Sequence, residues 1–173
     1  MAENKQQDPF DRLTAAYDRI LQDVHDAIEN ARDSSLPGLQ EYLDNAREKM
    51  VELGELSREE ADKVAGYVER DMKDAAHYLL ETGEQLSAWW RFDMQQIEDR
   101  MLEMFTSVAD QTKLELAKLA ERANKSSLYH TGEVTGPGTL VCAGCGKEMH
   151  FKKTGHIPPC SSCKGTEFQR RSS

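Results

Sequence analysis

Apolar residues recur at alternating intervals of three and four positions through most of the first 124 residues. This spacing places them along one face of α-helices, and the regular alternation is the pattern of a heptad seam. The pattern predicts helices over about 9–33, 36–53 and 58–124, and Gly83 leaves open a break in the third. We therefore expect an elongated helical hairpin or a coiled-coil-like bundle.

Local signals mark the ends of these helices. Asp8 precedes Pro9, which combines a capping carboxylate with a residue suited to the first helical position. Gly54 follows directly after the second predicted helix, at a position where a glycine commonly ends a helix. Ser57 and Glu60 have the spacing of a capping box, in which each side chain bonds the other residue's backbone N–H. A turn is therefore predicted near 54–57, with a helix on either side.

The character of the chain changes after residue 124. Segment 125–139 is rich in glycine and poor in helix formers, which is typical of a linker. Residues 140–173 follow as a short segment that contains every cysteine of the chain. The predicted fold is mostly α, with an acidic helical region over 1–124 and a small C-terminal β zinc ribbon over 140–173.

The four cysteines form two C-x-x-C pairs, Cys142 with Cys145 and Cys160 with Cys163. Two such turns, brought together by a hairpin, present four thiolates at the corners of a tetrahedron around one Zn²⁺ ion. Because the protein fills all four positions, the site is expected to be structural, with no position open to substrate. We expect one Zn²⁺ per chain, and we expect the metal to supply much of the folding energy of this segment.

Glycine adjoins each pair, since the backbone after a C-x-x-C turn needs a positive φ. Gly146 directly follows the first pair, whereas Gly165 comes one residue later in the second. His150 and His156 lie between the pairs and are interpreted as exposed hairpin residues rather than ligands. An iron centre of the rubredoxin type and a dithiol redox centre are the alternatives to zinc.

Charge is divided unevenly along the chain. The net charge is −9, yet residues 140–173 carry six basic and two acidic side chains, so the helical region is strongly acidic. An acidic body repels nucleic acid and anionic membranes, which leaves the ribbon as the candidate contact for nucleic acid. Its basic residues are the candidate contacts for nucleic acid or another partner: Lys147, Lys152, Lys153, Lys164, Arg170 and Arg171.

Several classes of protein are not indicated by the sequence. The N-terminus is polar and lacks a secretion signal, and no apolar run approaches the length of a membrane span. A cytoplasmic protein with reduced thiols and no membrane contact is predicted. The chain has no serine-nucleophile motif, no phosphate-binding glycine loop and no H-E-x-x-H motif, so no enzyme activity is expected.

The chain also resembles a known family. The segments that carry the resemblance are ELGELSREEADKVAGYVERDMKD, YHTGEVTGPGTLVCAGCGKEMHF and PPCSSCKGTEFQRR. They are similar to the YbeL-like family of bacterial zinc-ribbon-containing proteins, over about residues 40–171. The resemblance implies an N-terminal helical region and a C-terminal zinc ribbon in a cytoplasmic bacterial protein. It implies no particular activity, so it bears on the architecture more than on the function.

The two-part layout favours a non-enzymatic interaction or adaptor protein. In this hypothesis the helices self-associate or bind a protein partner, and the ribbon is a rigid end piece. One alternative is a nucleic-acid-binding protein, or a regulator similar in layout to the DksA-type RNA polymerase regulators, whose hairpin tip is compared with the acidic turn around Glu55 and Glu59. Another is a redox-sensitive protein that releases zinc when its cysteines oxidise. Phe151 and Phe168 are expected to pack the ribbon core rather than to stack on bases.

Overall fold

The computed structural model describes residues 8–30, 39–82 and 128–171. Within these ranges the chain forms three helices, which are α1 (Pro9–Asn30), α2 (Leu39–Glu52) and α3 (Arg58–Thr82). All three begin within the predicted helical ranges. The predicted continuation of the third helix to residue 124, with its break near residue 83, lies outside the described residues. None of the described helices combines the length and the apolarity needed to cross a membrane.

The predicted helix ends are present in the structure. The Asp8 carboxylate accepts the backbone N–H of Phe10 at 3.1 Å. Ser57 and Glu60 form the reciprocal capping box, because the Ser57 N–H donates to the Glu60 carboxylate at 3.0 Å and the Glu60 N–H donates to the Ser57 hydroxyl at 3.2 Å. Gly54 ends α2 with a φ of 70°, a left-handed conformation that glycine adopts without a steric penalty.

The three helices pack on one another around an apolar core. On α1 the buried face includes Ala16 beside Tyr17 and Leu21 beside Ile20, so it is wider than a strict heptad seam. Phe10, the first large apolar residue of the predicted helix over 9–33, is 45% exposed. A broad face of this kind is typical of a globular bundle, and the coiled coil stays a prediction.

Six short strands follow the helices: β1 (Leu128–His130), β2 (Val134–Thr135), β3 (Gly138–Cys142), β4 (Glu148–Phe151), β5 (Gly155–His156) and β6 (Glu167–Arg170). Four of them form an antiparallel sheet in the order β1-β6-β3-β4, and β2 pairs with β5 in a second sheet. The ribbon therefore runs from β1 to β6, and all of its described pairings are antiparallel, with β3–β4 as the one pair of successive strands among them.

The predicted linker over 125–139 is wrong for its described part, because it contains β1, β2 and the start of β3. Tyr129 is fully buried and pairs with Phe168 across the β1–β6 ladder. Of the glycines that suggested a linker, Gly132 lies in a tight turn with a φ of 95°, and Gly138 begins β3 with a φ of 141°. Local composition could not show this pairing, since the partner strand lies near the other end of the ribbon.

A second, smaller core lies inside the ribbon. It consists of Tyr129, Leu140, Cys142, Ile157, Cys160 and Phe168, with Met149 and Phe151 packed against it. Phe168 is fully buried and Phe151 is partly buried, so Phe168 packs the ribbon core as expected. Two members of this core are Cys142 and Cys160, so the positions of their thiols depend on the packing of the ribbon.

The ribbon packs directly on α1 and α3. Val134 of β2 is fully buried in the same cluster as the apolar residues of the helices. The Thr154 hydroxyl donates to the Asp18 carboxylate of α1 at 2.5 Å. The ring of His156 lies 4.1 Å from the ring of Phe10, measured between centroids. The acidic helices and the basic ribbon therefore share an interface, a point that the sequence leaves open.

Candidate metal centre and its connection to the helices

The two C-x-x-C turns have the same backbone hydrogen bonds. In the first, the Gly146 N–H donates to the Cys142 carbonyl and the Cys142 N–H donates to the Lys147 carbonyl, both at 2.9 Å. In the second, the Lys164 N–H donates to the Cys160 carbonyl and the Cys160 N–H donates to the Gly165 carbonyl, again both at 2.9 Å. The two turns are therefore equivalent, and each one presents two sulfurs to the same side.

The equivalence corrects one expectation about the second turn. The left-handed position of the first turn is Gly146, with a φ of 75°, and its counterpart is Lys164, with a φ of 62°. Gly165 therefore does not supply the left-handed residue. Its lack of a side chain matters for another reason, because a Cβ at Gly165 would lie 3.1 Å from the Cys163 sulfur and 3.2 Å from the Cys142 sulfur.

The four sulfurs converge as the spacing predicts. Each lies within 4.8 Å of the others, and among the described residues they form the one cluster with the composition of a metal site. The Sγ atoms of Cys142 and Cys163 are 3.5 Å apart, and those of Cys145 and Cys160 are 3.6 Å apart. A zinc tetrahedron with Zn–S bonds of about 2.3 Å has sulfur–sulfur edges of about 3.8 Å. The cluster fits a Zn²⁺ ion with four thiolate ligands.

Proton affinities within the cluster also favour a cation. Backbone N–H groups of Cys163 and Ser162 point at the sulfur of Cys160 and lower the pKa of this thiol to about 6. The Gly165 N–H lowers the pKa of Cys163, but hydrogen bonding with the neighbouring thiols outweighs it and raises that pKa to about 12. Without a cation these closely spaced groups do not all ionise. A bound Zn²⁺ ion supplies the positive charge that deprotonates coordinating thiols.

The two histidines between the cysteine pairs stand apart from the sulfur cluster. His150 is exposed, and its Nδ1 lies 2.9 Å from the Thr139 hydroxyl. His156 is partly buried against Phe10 rather than exposed, which corrects part of the expectation for this residue. Neither histidine belongs to the described metal-type cluster, so the ligand set consists of cysteines alone.

The candidate basic contacts do not form one surface. Lys147 and Lys164 adjoin the two cysteine turns, where Val141 pairs with Glu148. Lys152 and Lys153 follow β4 at the opposite end of the β3–β4 hairpin, where Gly138 pairs with Phe151. All four lysines are exposed. The structure therefore separates them into two groups at opposite ends of the ribbon.

The two C-terminal arginines have intramolecular partners. The Arg171 guanidinium lies 3.0 Å from the Glu148 carboxylate. The Arg170 side chain is 5% exposed and forms hydrogen bonds with the Thr135 hydroxyl at 2.7 Å and the Pro137 carbonyl at 3.0 Å. Burial and these bonds therefore hold the Arg170 guanidinium inside the protein, away from the surface that a nucleic acid would contact.

The main partner of Arg170 on the helices is Asp71 of α3, whose carboxylate is 3.4 Å from the guanidinium. Asp71 is 3% exposed and accepts hydrogen bonds from the Tyr17 hydroxyl at 2.5 Å and from the Gly136 N–H at 2.8 Å. The Arg70 guanidinium donates to the same carboxylate at 3.3 Å. Both oxygens of this buried carboxylate therefore have donors, as burial of a charge requires.

The environment of Asp71 also fixes its protonation state. Burial raises the pKa of a carboxyl group, but the charges of Arg170 and Arg70 and the hydrogen bond from Gly136 outweigh it, so the pKa of Asp71 is lowered. Burial raises the pKa of Tyr17 well above its usual value, with a further rise from the charge of Asp71. Asp71 is therefore an anion and Tyr17 a hydroxyl donor at neutral pH.

Tyr129 lies between the two arginines. The guanidinium carbon of Arg70 lies 3.8 Å from the centre of the Tyr129 ring, and that of Arg170 lies 5.1 Å from it. The Tyr129 hydroxyl donates to Asp74 of α3 and accepts the Nε–H of Arg170. Arg70 also donates to the Val134 carbonyl at 2.9 Å and pairs with Glu133. We call this set the Asp71–Arg170 cluster: Tyr17, Arg70, Asp71, Asp74, Tyr129, Glu133, Thr135 and Arg170.

Sequence reasoning missed this cluster, although two weak signals point to it. Asp71 comes seven residues after Val64 and three after Val68, so it lies on the apolar face of α3. Arg170 comes two residues after Phe168 in a strand, so both side chains point to the same side of the sheet. A charge at a core position of a helix and another in a strand are together the signature of a buried ion pair.

Comparisons with known proteins agree with this architecture. Residues 26–172 match the family model described as a zinc-ribbon containing domain. The chain is 30% identical over 124 residues to "Uncharacterized protein YbeL" of Escherichia coli strain K12, which covers 72% of this chain and 76% of the relative. The YbeL protein of Escherichia coli O157:H7 is similar to the same extent. The search of solved structures found no match. The chain therefore belongs to the YbeL-like family of zinc-ribbon-containing proteins.

Proposed function

We propose that the protein is a non-enzymatic interaction protein whose C-terminal ribbon is held together by one structural Zn²⁺ ion per chain. The observation that carries this proposal is the closed set of four convergent cysteines. Four protein thiolates fill a tetrahedral zinc ion and leave no position for water or substrate. A metal of this kind stabilises a fold and takes no part in turnover.

An exposed turn of the helical layer is the proposed contact for a protein partner. Leu53, between α2 and α3, is 55% exposed, and Glu52 and Glu55 on either side are also exposed. An exposed large apolar side chain with carboxylates beside it suits a partner that offers an apolar pocket with basic residues around it. RNA polymerase is the first such partner to test, because the acidic turn is the feature compared with the DksA-type regulators.

The metal and the absence of turnover are tested first on the untagged full chain. Mass spectrometry under non-denaturing conditions is expected to find one zinc per chain, and it also reports whether the chain self-associates. Iron, or no metal with linked cysteines, would contradict the structural zinc and favour electron-transfer or redox chemistry. Turnover of a defined substrate at a defined pocket would contradict the non-enzymatic role.

The proposed contact is tested with two charge reversals on α2 and the turn that follows it. Glu55→Lys combined with Leu53→Ser is expected to abolish binding to purified RNA polymerase. Glu41→Lys, which has the same change of charge at an exposed position in the first turn of α2, is expected to bind like the wild type. Equal binding by both variants would show that the turn is not the contact.

Binding of DNA or RNA to the protein is tested in a separate experiment. Because Arg170 is buried and the lysines lie at opposite ends of the ribbon, we expect no gel shift of DNA or RNA at physiological salt. A shift that Lys152→Ala with Lys153→Ala abolishes, and that weakens steeply with salt, would favour the nucleic-acid-binding alternative.

A further inference from the structure

The Asp71–Arg170 cluster is connected to the metal centre by one short strand. Arg170 lies on β6, which follows directly after the second cysteine turn. On the same strand Phe168 pairs with Cys142, the first cysteine of the other turn. Both cysteine pairs therefore fix the position of β6, and β6 in turn fixes where the guanidinium of Arg170 meets the helices.

The ribbon surface that meets the helices is assembled from strands distant in sequence. Arg170 of β6 contacts Thr135 of β2, Pro137 and Tyr129 of β1. Gly136, next to β2, donates its backbone N–H to Asp71 of α3. Arg170 and Gly136 reach the Asp71 carboxylate together only when the ribbon is folded, because they come from segments that the sheets hold together.

The helices in turn depend on these groups. Asp71 is a buried charge, and removal of the ribbon would take away Arg170 and the Gly136 N–H and leave Asp71 with Arg70 and Tyr17 from the helices. Val134 contributes from the ribbon to the core of the helical layer itself. Unfolding of the ribbon therefore opens part of that core and exposes to water the positions on Asp71 and Arg70 that the ribbon groups had occupied.

We propose that zinc binding and the docking of the ribbon on α1 and α3 are one coupled equilibrium. Loss of zinc unfolds residues 128–171, detaches them from the helices and uncovers the face around Tyr17 and Asp71. By the reciprocity of linked equilibria, the cluster strengthens zinc binding by the same factor by which zinc strengthens docking. The proposal rests on the zinc site and is independent of the interaction role.

The first measurement is hydrogen exchange of the full chain with zinc bound and after removal of zinc by a chelator. Peptides of α1 around Tyr17 and of α3 around Asp71 are expected to exchange faster in the zinc-free protein, together with the whole ribbon. Exchange in these two helices that does not change when the ribbon loses its protection would overturn the proposal.

The second measurement is zinc affinity, by competition with a chromophoric chelator, in variants remote from the cysteines. Arg170→Met is expected to bind zinc about tenfold more weakly, a typical size for coupling between sites. Arg171→Met has the same substitution at the next residue, where the side chain is 39% exposed, and its affinity is expected to stay within about twofold of the wild type. Equal affinities for the two variants would overturn the proposal.

A milder variant covers the case in which Arg170→Met does not fold. Tyr17→Phe removes one hydroxyl on α1 and keeps the ring, and it is expected to weaken zinc binding about threefold while circular dichroism shows unchanged helix. An unchanged zinc affinity in a folded Tyr17→Phe protein would overturn the coupling. Absence of zinc from the wild type would instead contradict the metal centre itself, so the two failures are distinguishable.

Discussion

The helical layer and the zinc ribbon are stabilised by different interactions. The helical layer buries a cluster that spans three helices, whereas the ribbon buries four apolar side chains and two cysteines. A core as small as that of the ribbon does not offset the entropy of ordering its strands. Burial of apolar side chains therefore stabilises the helical layer, whereas the ribbon also needs the metal ion.

The largest effect is expected from a change that acts on the ribbon alone. Cys160→Ser removes one thiolate ligand and is expected to weaken zinc binding by more than about 100-fold. The ribbon should then unfold, while the helical signal in circular dichroism is mostly kept. Metal analysis and the dispersion of amide resonances check both parts. Ser161→Ala in the same turn is the control, and loss of all helix in Cys160→Ser would show that the helical layer is not stable by itself.

The next effect belongs to the helical layer. Leu43 is 1% exposed on α2, and Leu43→Ala is expected to lower the free energy of unfolding in urea by about 2–5 kcal/mol, the cost of a cavity in a packed core. Leu53→Ala is the matched control, because Leu53 is 55% exposed and its truncation is expected to change stability by less than about 0.5 kcal/mol.

Zinc stoichiometry sharpens this second test. With excess zinc, folded Leu43→Ala should still contain one metal ion per chain, because α2 contributes no ligand. If a Leu43→Ala protein that keeps its helices lost the metal at saturating zinc, the helical core and the metal centre would not be separate sources of stability.

A smaller effect is expected beside the sulfurs. In Gly165→Ala the new Cβ would lie 3.1 Å and 3.2 Å from two ligand sulfurs, and overpacking of this kind costs about 1–3 kcal/mol. Zinc affinity measured by chelator competition should fall accordingly. Gly144→Ala is the control in the other turn, since its nearest sulfur is 3.5 Å away, which is an ordinary contact. Equal affinities in the two variants would show that the sulfurs have room to move.

The smallest expected effect is an increase in the stability of the zinc-bound ribbon. Lys164 has a left-handed backbone with a φ of 62°, and Lys164→Gly is expected to stabilise the zinc-bound ribbon by about 1 kcal/mol through relief of this strain. The equivalent residue of the first turn is already Gly146. Lys147→Gly removes the same exposed side chain where the backbone is not left-handed, and it should not stabilise. Thermal unfolding of the zinc-loaded variants measures the difference.

These residues also show which features the sequence could predict. The helices follow from periodic apolar positions, and the helix ends follow from Asp8, Gly54 and the Ser57–Glu60 pair, because all of these depend on neighbours along the chain. The metal ligands follow from the spacing of Cys142, Cys145, Cys160 and Cys163 for the same reason. Each signal is local and has a specific physical cause.

The features that the sequence did not predict depend on contacts between distant segments. The three glycines of 125–139 favour a linker, and the sequence does not show that β1 and β2 pair with β6 and β5, which come later in the chain. Arg170 is predicted as a surface contact because it is one of the six basic residues of 140–173, and arginine is mostly exposed. Its burial follows from Asp71 on α3, and only the folded structure brings the two together.

The position of Val134 has a consequence for the way this protein can be divided. Val134 is part of the ribbon by sequence and part of the helical core by packing. A ribbon expressed alone would therefore expose Val134, Tyr129 and the guanidinium of Arg170. The helices alone would leave Asp71 with Arg70 but without Arg170 and the Gly136 N–H. The smallest autonomous fragment that includes the metal centre must contain α1 and α3, so the ribbon is not a portable module for grafting onto another scaffold.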